Sequence, residues 1–287
     1  MTQPYLFCFG LGYSARALAR RLLAEGCRVA GTCRSEAQQA ALAGEGFAVE
    51  LFGRDRPLSP ASFAQASHIL VSVPPDAAGD PVLDCHAADI AALRELRWLG
   101  YLSTTGVYGD RGGGWVDETS ELRPSGERGR RRVNAEAGWR ALWRGHGVPV
   151  HVFRLAGIYG PGRSALDALA AGTAKRIRKE GQLFSRIHIK DLAAALAASI
   201  ARPRPGAVYN VCDDLPAPPE EVVAFAAELL GRAPPPLVPF AAAELSEMAK
   251  SFYADNRRVS NRLIKEELGV TLAHPDYRSG LKAIRGG

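Results

Sequence analysis

Apolar residues fall into short unbroken runs that alternate with stretches of helical spacing. Tyr5 to Phe9 is a continuous apolar run closed by Gly10 and Gly12, the pattern of a strand buried on both faces. Ala15, Leu18, Ala19, Leu22 and Leu23 then recur at helical spacing up to Gly26, which predicts a helix with a glycine stop. Further strands are predicted at 28–33, 47–52, 68–73, 98–103 and 148–155. Helices are predicted at 36–43, with Ser35 as the cap, and at 84–96. Strands that alternate with helices need crossover connections, hence a parallel sheet in an α/β, doubly wound fold.

After Leu155 the pattern loosens. Short strands are predicted at 187–189 and 207–211, and Asp191 is expected to cap an Ala-rich helix. Prolines at 216–219 and 234–236 break the chain around a helix at 220–230. Helices are expected near 242–250, 258–268 and 277–284. The expected division is a sheet domain over 1–155 and a smaller C-terminal lobe over 156–287, with segments near 186–215 interleaved with the sheet domain.

Composition narrows the function classes. Apolar residues at 47% and charged residues at 23% exclude global disorder. The net charge is +6, and six of the 36 basic residues are Lys while 30 are Arg. Arg suits forked recognition of phosphate or carboxylate. A basic balance alone leaves nucleic acid, an anionic membrane and a phosphorylated small molecule open, but the Arg residues run from 16 to 285 with no nucleic-acid module, so nucleic acid is not expected. The five scattered cysteines have no CxxC spacing, which reads as reduced core thiols in a cytoplasmic protein with no metal. The longest apolar helical stretch, Leu192 to Ala201, is too short for a bilayer, and no secretory signal is evident.

Gly10-Leu-Gly12-Tyr-Ser-Ala15 follows a predicted strand and opens a predicted helix. In that context GxGxxA is a dinucleotide turn. Gly10 permits the tight bend, Gly12 lets the backbone approach a pyrophosphate, and Ala15 keeps helix and strand close. Tyr13, Ser14 and Ala15 then present helix N-terminal N–H groups to phosphate, and Val73 at the end of the fourth strand is expected beside the cofactor. The second strand ends in Thr32-Cys33-Arg34-Ser35, where an NAD site expects an acid. Arg34 and Ser35 instead suit a 2′-phosphate, so NADP is expected over NAD.

The chain resembles the extended or atypical short-chain dehydrogenase/reductases of the NAD-dependent epimerase/dehydratase type. The glycine turn is the first matching block. Leu102 to Gly109 is similar to the fifth-strand segment, which places the family's active-site Ser or Thr at Thr104. Asn134-Ala-Glu136, Phe153 to Gly162, Arg186 to Asp191 and Val208 to Val211 match later blocks in order. The resemblance implies a Rossmann-type sheet with a substrate lobe. It implies an oxidoreductase or epimerase acting on a small anionic or sugar-derived substrate, with a homodimer through the helices at 84–96 and 126–146.

The resemblance also exposes a departure. The family's catalytic pair is Tyr-x-x-x-Lys, and in that register this chain has Arg128-x-x-x-Arg132. None of the eight tyrosines has Lys four residues on. Arg132 keeps the charge that would bond the nicotinamide ribose, yet neither Arg transfers a proton, because a guanidinium does not deprotonate. Thr104 donates to a substrate oxygen but is a poor base. Tyr108, Tyr159 and His188 remain as proton carriers. Tyr159, His188 and Arg163, after the Tyr-Gly-Pro turn, are also the expected substrate contacts. Two readings follow: an NADP-dependent enzyme with an atypical site, or a catalytically silent NADP-binding sensor.

Overall fold

The computed structural model describes Gln3 to Gly286. In chain order the strands are β1 (Tyr5–Phe9), β2 (Arg28–Cys33), β3 (Ala48–Leu51), β4 (His68–Val71), β5 (Trp98–Thr104), β6 (Trp115–Val116), β7 (Val150–Leu155), β8 (Gly157–Tyr159), β9 (Arg176–Arg178), β10 (Arg186–His188), β11 (Val208–Val211), β12 (Leu237–Pro239) and β13 (Arg258–Val259). The helices are α1 (Tyr13–Ala24), α2 (Glu36–Gly44), α3 (Pro81–Ala91), α4 (Glu127–His146), α5 (Ala165–Ala170), α6 (Ile189–Ala201), α7 (Pro219–Leu229), α8 (Glu247–Ala254), α9 (Arg262–Glu266) and α10 (Tyr277–Gly286). The chain forms two compact units. The first comprises 1–103, 131–154 and 193–209, and the second 104–130, 155–192 and 210–287.

A seven-stranded parallel sheet runs in the order β11-β7-β5-β4-β1-β2-β3. Reversal of strand order on the two sides of β1 makes it doubly wound, as the alternation of elements predicts. All five residues of β1 and all six of β7 are buried, which explains the unbroken apolar run of β1, while β7 also buries His151 and Arg154. Phe7, Phe9, Phe52 and Phe63 form a chain of ring contacts with centroids 5.1–5.6 Å apart. Gly31 lets β2 lie close to β1, since a Cβ there would sit 2.7 Å from the Cys8 carbonyl oxygen. On α4, Glu136 and Trp139 face inward. Arg154 on β7 bonds both oxygens of Glu136, with Nη2 at 2.8 Å, and Ser103 Oγ donates to the same carboxylate at 2.5 Å.

The second unit holds three short parallel pairs, β8 with β10, β9 with β12 and β6 with β13. Helices α5, α7 and α10 pack around Leu166, Val222, Ala226, Tyr277 and Leu281.

Several element bounds differ from those the sequence predicts. Helix α3 starts at Pro81, three residues before the periodic pattern, because Asp80 caps it through the N–H groups of Val82 and Leu83. Asp191 is not a cap. Helix α6 starts at Ile189, and the Asp191 carboxylate accepts from the N–H groups of Ala273 and His274. The helix expected at 242–250 lies at Glu247–Ala254, capped by Ser246. The one expected at 258–268 begins as β13, which pairs with β6, and becomes helical only over Arg262–Glu266. All five cysteines are free thiols, and burial pushes those of Cys8 and Cys212 up. Among the described residues no helix is long and apolar enough to cross a membrane.

Removing one partner of a buried salt bridge leaves the other charge uncompensated. Glu136→Ala is therefore expected to lower unfolding free energy by about 3–5 kcal/mol. Urea unfolding checks this, and a loss indistinguishable from that of an exposed control such as Glu127→Ala contradicts it.

Candidate functional site

The glycine turn closes β1 and opens α1 with defined geometry. Gly10 has φ +85°, its N–H donates to Thr32 Oγ1 at 2.8 Å, and its carbonyl accepts from Ser72 Oγ at 2.5 Å. A Cβ at Gly10 would lie 2.9 Å from Ser72 Oγ and 3.1 Å from Val73, so only glycine fits. Gly12 differs. It is exposed, its backbone is extended, and a Cβ there would meet nothing within 4 Å. No side chain caps α1 and no acidic residue occupies its first turn, so nothing offsets the positive end of the helix. Ala15 is fully buried against the sheet.

These residues fit a bound dinucleotide: an open approach over Gly12, an uncapped helix N-terminus at Tyr13, Ser14 and Ala15, and Val73 beside the turn. Arg34 and Ser35 follow β2 and are exposed. Ser35 Oγ accepts the Gln38 N–H as the cap of α2, and the Arg34 N–H donates to Gln38 Oε1.

The end of β5 carries Thr104, half-buried, whose Oγ1 accepts the Gly106 N–H at 3.1 Å and caps a single 3-10 turn. Arg128 and Arg132 lie one turn apart on α4. Arg128 is exposed, with its guanidinium carbon 5.8 Å from the Phe252 ring centre. Arg132 is half-buried, and its Nη1 donates to the Leu102 carbonyl at 2.5 Å and to the Tyr101 hydroxyl at 3.2 Å. Its positive charge thus stands at the edge of β5, held by neutral acceptors.

Two of the expected proton carriers are sealed. Tyr108 is fully buried and its hydroxyl donates to Asn210 Oδ1 at 2.7 Å, so it is a packing residue rather than a solvent-facing acid. His188 is 1% exposed, packs its ring against Tyr159 and His274, and accepts the Lys190 N–H at Nδ1. Burial, then His274 and Lys190, lower its pKa to about 4, so it is neutral at ordinary pH.

His188, Asp191 and His274 bring ligand-type atoms within 4.8 Å of one another. Nδ1 of His188 accepts the Lys190 N–H, and Nε2 of His188 and of His274 are buried with no hydrogen-bond partner among the described residues. Both Asp191 oxygens already accept backbone N–H groups. Asp191 thereby ties the 273–274 loop to α6, and the two imidazoles pack ring against ring beside it.

Tyr159 and Arg163 come together on one cavity of about 580 Å³ inside the second unit, walled by α5, α7 and α10. His188 does not line it. Arg186, which sequence reasoning passed over, does. The available signal was a charged residue opening the otherwise apolar run of β10.

Comparison with known proteins agrees with this geometry. The chain matches the NAD dependent epimerase/dehydratase family over residues 10–212. It is 31% identical over 191 residues to Protein YeeZ of Escherichia coli K12, covering 66% of this chain and 62% of that protein. A functionally unknown conserved protein from Silicibacter pomeroyi is 51% identical with a TM-score of 0.92, each chain covered to 99%. A Bacillus cereus UDP-glucuronic acid 4-epimerase mutant, solved with UDP-4-deoxy-4-fluoro-glucuronic acid and NAD, shares the fold at 14% identity and a TM-score of 0.79, each chain covered to 98%.

The open space over Gly12 generates a prediction. Gly12→Val is expected to keep the wild-type melting temperature and to weaken dinucleotide binding at least tenfold. Thermal unfolding and fluorescence titration with NADPH measure the two effects, and unchanged binding refutes the assignment.

Proposed function

The chain belongs to the NAD dependent epimerase/dehydratase family, and on that premise we propose that it is an NADP-dependent oxidoreductase or epimerase with an atypical active site. Its substrate is a small anionic or sugar-derived molecule. The single observation that carries this reading is the intact glycine turn followed by Arg34 and Ser35 where an acid would select NAD. Gly10, Gly12 and the N-terminus of α1 hold the pyrophosphate. Arg34 and Ser35 bond the 2′-phosphate, and Val73 flanks the cofactor. Residues 1–155 act as the cofactor domain and 156–287 as the substrate lobe, with 186–215 interleaved.

The nicotinamide, when bound, supplies or accepts hydride. Thr104 orients the substrate by donating a hydrogen bond to its oxygen. Arg132, already fixed by the Leu102 carbonyl, presents its remaining N–H groups to the ribose. Arg128 offers a positive charge to an anionic substrate one turn away. None of these groups is a base at neutral pH, so the proton lost or gained at the substrate oxygen as hydride transfers passes to or from water. Tyr159 and Arg163 contact the substrate's distal part. Free thiols at all five cysteines support a cytoplasmic location, and a homodimer through α3 and α4 completes the reading.

A second reading has a specific observation behind it. The sealed Tyr108 and the two arginines in place of Tyr and Lys suit a silent NADP-binding sensor.

Fluorescence titration is expected to show NADPH bound at least tenfold more tightly than NADH, with the preference lost in Arg34→Ala. Equal affinities contradict the NADP assignment. NADPH oxidation with carbonyl and sugar-nucleotide substrates, reduced about a hundredfold in Thr104→Val, separates the enzyme from the sensor. Tight NADPH binding without turnover of any substrate favours the sensor.

A further inference from the structure

The cavity of the second unit combines an apolar body with one under-compensated cation. Its walls are small and apolar: Ala165, Ala168, Val222, Val223 and Leu281, with Tyr159 at one side. At about 580 Å³ it falls in the range of small-molecule sites. Arg186 reaches it from β10. Nη1 of Arg186 donates to the carbonyls of Phe184 at 2.8 Å and Ala217 at 3.0 Å, which anchor the guanidinium without neutralising it. Among the described residues no carboxylate forms an ion pair with Arg186.

The carboxylates around the site leave that charge in place. Asp167, on the cavity wall, is engaged by Ser164, whose N–H and Oγ both donate to Asp167 Oδ2 in the capping box of α5. Asp213 is the first of the groups whose charge would steady Arg186, yet it is 1% exposed, and burial pushes its carboxyl up to about 8. Its Oδ2 has no hydrogen-bond partner. A buried acid whose carboxyl is pushed upward and that makes no ion pair with Arg186 balances the guanidinium only weakly. Arg163, also on the wall, adds a second, exposed positive charge.

We propose that this cavity binds an amphipathic small anion, with its carboxylate or phosphate on Arg186 and its apolar body between α5, α7 and α10. The proposal rests on the reading of Tyr159 and Arg163 as substrate contacts and deepens it, adding Arg186 as the residue that sets substrate charge. A ring or short alkyl chain suits the alanine and valine walls, and a planar oxyanion suits the guanidinium fork.

Isothermal titration of the full chain with phenyl phosphate, benzoate, inorganic phosphate and benzyl alcohol tests it, without and with NADPH. Phenyl phosphate or benzoate is expected to bind at least tenfold more tightly than either inorganic phosphate or benzyl alcohol. Arg186→Gln is expected to remove that advantage, and Arg186→Lys to restore only part of it. Val223→Trp, which adds bulk to the cavity wall and leaves Arg186 unsubstituted, is expected to abolish binding, with melting temperature as the check on folding. Inorganic phosphate binding as tightly as phenyl phosphate shows a bare anion patch and overturns the proposal. Benzyl alcohol binding equally well, or wild-type binding in folded Arg186→Gln or Val223→Trp, also overturns it. Anion binding measured without dinucleotide keeps its failure distinct from failure of the NADP assignment.

Discussion

Glu136 and Arg154 are 2% and 3% exposed and meet in a two-pronged salt bridge, with Ser103 donating to the same carboxylate. Desolvating such a pair is costly, so its strongest effect is on which arrangement is allowed rather than on how stable that arrangement is. It fixes the register of α4 against β5 and β7. Arg132 precedes Glu136 by one helical turn and Arg128 precedes Arg132 by another, so the three share a stripe of the helix. Once Glu136 is pinned, Arg132 has to stand at the edge of β5, where it meets the Leu102 carbonyl. The placement of Arg128 and Arg132 is thus set by a buried pair whose Glu136 lies two turns and one turn further along the same helix.

That placement separates two properties that a Tyr-Lys pair would combine. Arg132 keeps a fixed positive charge at its station, but a guanidinium does not relay protons. Tyr108 is sealed by Asn210, and His188 is committed to a backbone N–H and two ring contacts. The cofactor side is the opposite case. At Gly12 the space is open, the helix end is uncapped and no acid intrudes. The protein is therefore well equipped to hold a dinucleotide and sparsely equipped to move a proton.

Much of the fold was legible because central strands such as β1 and β4 are buried on both faces and read as short apolar runs. The glycine turn was legible because φ and close approach at Gly10 leave one residue type. The two-residue strands β6 and β13 carry no periodicity, and their pairing depends on a partner more than 140 positions away. Asp80 and Asp191 show the limit in another form. Both are acids near a helix start, yet one caps its own helix and the other accepts from a distant loop. Local spacing does not distinguish these, because the deciding donor is remote. The cavity and Arg186 were hidden for the same reason, since their walls come from segments well apart in the chain.

Among the described residues the one fully buried Lys or Arg side chain is an arginine. None of the six lysines is fully buried, and Lys179 and Lys265 are half-buried, as are Arg132 and Arg186, whereas Arg154 is nearly inaccessible. An ammonium in such places sheds its proton as burial raises the cost of charge, while a guanidinium keeps it. Its fork also lets one N–H group bond a backbone carbonyl while the others face outward, as the Leu102 contact does for Arg132 and the Phe184 and Ala217 contacts do for Arg186. A Lys in either place has three donors on one atom and cannot divide them between scaffold and ligand in the same way. Most of the arginines are exposed, so the excess of positive charge is largely a surface property, and Arg132, Arg154 and Arg186 stand apart from it as cations anchored to the scaffold.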